Sequence, residues 1–132
     1  MRKVSLTFLA FLLFCGISLA APQGGKQKTF TGVIMDSQCA MMGSHEKMEK
    51  MHPKMFTKAN SSLTGPEARK CTLACVKMGG KFVLYNNATK TTYKLDDQEK
   101  PREFAGEKVK VAGTYDPSTM TIHVESIHKA AL

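Results

Sequence analysis

The chain predicts a mainly β fold with an α-helical insert, and three observations predict it. Five segments after position 28 show the alternation or the β-branched and aromatic richness of strands. Short polar or turn-forming stretches separate the later strands, whereas residues 36–80 lie between the first and the second. The resulting order is strand, long insert, strand, strand, short helix, strand, strand. That is the order of a five-stranded OB-like Greek-key barrel with a helical insertion between strands 1 and 2. An antiparallel sheet with helices packed on one face is the second solution.

The elements follow in chain order. Met1-Arg2-Lys3, the apolar run from Val4 to Leu19 and the small residues Ser18 and Ala20 make residues 1–20 an expected cleaved signal peptide. The apolar run is shorter than the roughly 20 residues a spanning helix needs, so no stable membrane insertion is expected after processing. Residues 21–28, "APQGGKQK", have the composition of a disordered leader, and the domain is expected over 29–132. "TFTGVIM" sets Phe30, Gly32 and Ile34 against Thr31, Val33 and Met35 as the first strand. "KFVLYN" and "TTYKL" flank the polar loop Asn86-Asn87-Ala88-Thr89-Lys90 as an antiparallel pair. "DDQEKPREFAG" suits a short helix ending at Gly106. "EKVKVAGTYD" alternates Val109 and Val111 with lysines, and Asp116-Pro117-Ser118 turns into "TMTIHVESI".

Within the insert, Thr64-Gly65-Pro66-Glu67 combines a threonine cap, an early proline and a glutamate three residues after the cap, so a helix is expected to start there. Gly79-Gly80 supplies its stop, near Met78. Cys71, Cys75 and Met78 then share one face. A less stable helix is expected from Ser44 to His52, limited by Pro53. The insert is expected to be separable from barrel stability except through Cys39.

The pattern Gly32-x-Ile34-x-Asp36-x-x-Cys39, then Cys71-x3-Cys75-Val76, Gly-Lys-Phe-Val, "FAGEKVKVAGTYD" and a closing "TIHVESI" resembles a family of small exported bacterial proteins of unknown function with OB-like domains. The resemblance covers most of the chain after the leader. It implies the barrel, the bacterial envelope and a role for Cys39, Cys71 and Cys75, and it implies no activity. The methionines of residues 41–55 depart from the family's pattern.

Chemistry concentrates in the insert. An exported chain meets an oxidising compartment, where cysteines pair by default. At i and i+4 of a helix, Cys71 and Cys75 have Cβ atoms about 5–6 Å apart, too far for the roughly 3.5–4.5 Å of a disulfide. One reading is therefore a bridge from Cys39 to Cys71 or Cys75 that clips the insert to the first strand. In the other, all three thiols hold a metal, because two thiolates on one tetrahedral ion sit roughly 3.8 Å apart. His45 would complete a Cys3His set suited to zinc, and Met48, Met51 and His52 are auxiliary soft donors that would favour Cu(I). The same methionines would equally serve as an adaptable apolar face. A thiol-based redox role is a third reading, although C-x3-C on a helix lacks the spacing of a cycling pair. Asp36 reads as a strand-end or turn residue.

No catalytic constellation is evident, and no cofactor beyond Zn or Cu(I) is implied. The formal net charge of +8, of which Arg2 and Lys3 belong to the signal segment, is spread over scattered lysines that read as a solvated surface. With an export address, nucleic acid is not the expected partner. The expectation is a periplasmic or secreted binding protein whose partner is an envelope ligand or protein.

Overall fold

The structure is a computed structural model that describes residues 25–42 and 64–131. It is mainly β. Five strands, β1 (Lys28–Asp36), β2 (Phe82–Asn86), β3 (Thr91–Leu95), β4 (Lys108–Asp116) and β5 (Thr121–Lys129), pair in the order β1-β2-β3-β5-β4. The sheet closes on itself, because the first half of β1 pairs with β4 and the second half with β2, the exchange falling at Val33. All pairs are antiparallel except β3 with β5. Among the described residues two helices, α1 (Ser37–Met42) and α2 (Pro66–Lys77), follow β1, and a 3-10 turn spans Lys100–Phe104.

Each expected strand is present, β1 starting one residue before Thr29. Their alternation has a direct cause in the closed sheet. Ile34, Phe82, Leu84, Leu95, Val109, Val111 and Ile122 turn inward and form one buried cluster. Near one end of it, Phe30, Tyr93 and Tyr115 pack ring to ring with centroids 5.2–5.6 Å apart. In β5 an extra residue, Glu125, bulges between the pairs Ala112–Ser126 and Gly113–Val124. The bulge shifts the alternation by one, which is why Ile127 is buried together with Ile122 and Val124.

β1 and β2 are apolar on both faces because the helices cover their outer side. Met35, Val83 and Tyr85 point away from the inner cluster and join Cys39, Ala40, Cys71 and Cys75 in a second buried cluster. α2 serves both, since Leu73 and Val76 pack on the inner cluster while Cys71 and Cys75 belong to the outer one. The helix also meets backbone directly. Gly106 has φ +72°, a Cβ on it would stand 2.5 Å from the Arg69 nitrogen, and its carbonyl accepts the Gly65 N–H while its own N–H donates to Ile34. The expectation that the insert is separable except through Cys39 is therefore corrected: α2 is part of the packing of the sheet.

Three details of the helices differ from expectation. α2 starts at Pro66 with Gly65, at φ +105°, in the cap position instead of Thr64, and no side chain caps it. It ends at Lys77, one residue short of Met78, which is 63% exposed and does not share the face of Cys71 and Cys75; Gly79, at φ +107°, supplies the stop. α1 was not expected at all. Asp36 caps it, so this short helix is set directly on the end of β1. The helix expected over Ser44 to His52 lies outside the described residues.

Candidate metal centre

The second cluster contains the chemistry. β1 ends at Asp36, whose Oδ1 accepts the N–H groups of Gln38 (3.0 Å) and Cys39 (2.9 Å). These two bonds begin α1 and fix Cys39 three residues after the carboxylate. Ser37 strengthens the junction: its N–H donates to the Lys81 carbonyl at 2.8 Å and its Oγ accepts from the Lys81 N–H at 3.2 Å. Opposite, the four-residue spacing of α2 turns Cys71 and Cys75 together toward β1.

The ligand atoms of Asp36, Cys39, Cys71 and Cys75 lie within 4.8 Å of one another, and all four residues are buried. The Sγ atoms of Cys39 and Cys71 are 3.9 Å apart, beyond a covalent bond and close to the roughly 3.8 Å that separates two thiolates on one zinc ion. Asp36 divides its carboxylate. Oδ1 is occupied by the two amides, whereas Oδ2 is buried with no hydrogen-bond partner, as is Thr72 Oγ1 between the two cysteines of α2. Among the described residues no cationic side chain is paired with Asp36; the ion pairs lie elsewhere, as at Lys100–Asp97 and Lys129–Glu107.

The electrostatics follow from this composition. The Cys39 thiol is pushed far up by its contact with Cys71, by burial and by the Asp36 charge. Burial first, and then the Asp36 carboxylate, push the Cys75 thiol up to about 12. Without a cation the Cys39 and Cys75 thiols hold their protons. A bound cation is what would let these sulfurs ionise.

The structure thus brings Cys39, Cys71 and Cys75 together. His45, Met48, Met51 and His52 lie outside the described residues. The residue missed from sequence is Asp36. Its signal was the Asp-x-x-Cys spacing at a strand end: a capping aspartate accepts from the N–H three residues on, which sets its carboxylate beside the cysteine there. Among the described residues, His123 sits on β5 with Nδ1 3.0 Å from Asp96 Oδ2 and is not part of this cluster.

Residues 76–130 match a family described as a protein of unknown function (DUF5818). The match takes in less than half of the chain, covering β2 to β5 and the end of α2, and begins one residue after Cys75. No curated protein and no solved structure matches the chain.

Proposed function

We propose that the chain is an exported envelope protein, periplasmic or secreted, whose OB-like Greek-key barrel carries a buried site for a thiophilic metal ion, zinc or copper(I), held by Cys39, Cys71 and Cys75. The barrel reading is supported by the strand order, by the parallel β3–β5 pair and by the 3-10 turn ahead of β4. The observation that carries the metal reading is the convergence of three buried sulfurs from two helices, with the Asp36 carboxylate, within 4.8 Å of one another. Three sulfurs cannot all pair as disulfides within one chain, but they can all bind one ion. All four side chains are buried, which suits holding an ion more than turning over a substrate.

A second reading has its own observation. Cys39 and Cys71, 3.9 Å apart, are near enough to close into a disulfide after small side-chain rotations, which would make the site a clip or a thiol redox centre.

Titration of the reduced full chain separates the two. The metal reading expects one Zn(II) or Co(II) per chain, sulfur-to-cobalt charge-transfer absorption, and protection of all three thiols of the domain from alkylation. Cys39→Ser, Cys71→Ser and Cys75→Ser should each weaken binding. No uptake at micromolar metal, with only one of the three thiols alkylatable after export and denaturation, would leave the disulfide reading standing.

A further inference from the structure

We infer that Asp36 is the fourth ligand of this site, binding through Oδ2, and that it makes the site selective for a divalent thiophilic ion of the zinc class over copper(I). The inference rests on the metal reading above and names the ion class of that same site.

Four observations converge on Asp36. Its side chain is fully buried, and Oδ2 has no hydrogen-bond partner. Leaving a buried carboxylate oxygen unsatisfied is costly, so such an atom calls for a cation or a proton donor. Its ligand atom belongs to the same group as the three sulfurs, within 4.8 Å. The two amide bonds at Oδ1 hold the carboxylate in place before any ion arrives, leaving one oxygen for monodentate binding. Finally, no ion-pair partner competes for it among the described residues.

The donor set then decides the ion. Three thiolates alone suit copper(I), which needs no fourth ligand and no oxygen. A carboxylate as fourth donor completes the tetrahedron of a closed zinc site. It also adds negative charge in a buried pocket, of which a divalent ion cancels twice as much as a monovalent one. His45, the imidazole that would complete a Cys3His set, is not required.

X-ray absorption of the zinc-loaded wild-type chain tests the assignment without a variant. The expected first shell is three sulfurs and one oxygen at about 2.0–2.2 Å, with no imidazole outer-shell scattering. Asp36→Asn keeps an oxygen for the two amides but removes the charge. It should lower zinc affinity by at least the roughly 10–100-fold that losing a supporting partner costs, and leave copper(I) affinity within a few fold. His45→Ala and His52→Ala should change neither. An imidazole signature that disappears in His45→Ala would overturn the assignment, as would a four-sulfur shell or an Asp36→Asn chain that binds zinc as tightly as wild type. Those results would leave the metal reading intact. A wild-type chain that takes up neither zinc nor cobalt would remove both.

Discussion

Cys75 is buried beside a carboxylate, and its thiol is pushed up to about 12 from an ordinary 9.0. In the metal-free chain it should therefore react with iodoacetamide far more slowly at pH 8 than in the denatured chain. Stability carries the same sign. Between about pH 9 and 12 the folded thiol keeps a proton that the unfolded thiol loses, so the contribution is intact below that window and declines as pH rises through it. Thermal melts of metal-free protein should fall across this range more steeply than those of Cys75→Ser, whereas zinc-loaded protein, with its thiolates already deprotonated, should lack the extra slope. Equal slopes for wild type and Cys75→Ser would contradict the buried-thiol account. At this scale the cysteines were legible because the spacing of Cys71 and Cys75 fixes their common face. Asp36 was not, since a turn role explained it completely. Only the structure shows that one oxygen makes the turn and leaves the other unused.

Among the elements, the strands were readable because each alternates around the closed sheet, and the hairpin loop and the Gly79 stop carry their own local chemistry. Two things were hidden. The extra residue in β5 reverses the alternation midway, so a strict period of two would have sent Ile127 outward. The docking of α2 was also invisible, because nothing local in Leu73 or Val76 tells which cluster each will join. The contact of Gly106 with the first turn of α2 gives a direct test. Gly106→Ala places a methyl group 2.5 Å from the Arg69 nitrogen at a residue with φ +72°, adding a clash to backbone strain. The expected loss is about 2–3 kcal/mol or more, read as a lower urea midpoint. Because α2 carries two of the sulfurs, zinc affinity should fall in the same variant. Unchanged stability would mean that the helix is not held on the sheet in this way.

For the molecule as a whole, composition and strand order were enough to expect a β-rich domain interrupted after its first strand. They could not say that the interruption returns to help build the core. Among the described residues no helix is long and apolar enough to cross a membrane. The exchange of β1 between β4 and β2 carries a further consequence. Residues 25–42 hold one complete strand with a sheet neighbour at each end, and residues 64–131 hold the other four with α2. A chain nicked once within 43–63 would consist of a strand donor and an acceptor of four strands, joined by backbone pairing and by sulfurs contributed from both pieces. Such fragments should co-elute as one species when zinc is present and come apart far more readily after chelation, each holding too few ligands to keep the ion alone. A protein built this way could be divided into two polypeptides whose reassembly reports the availability of the metal.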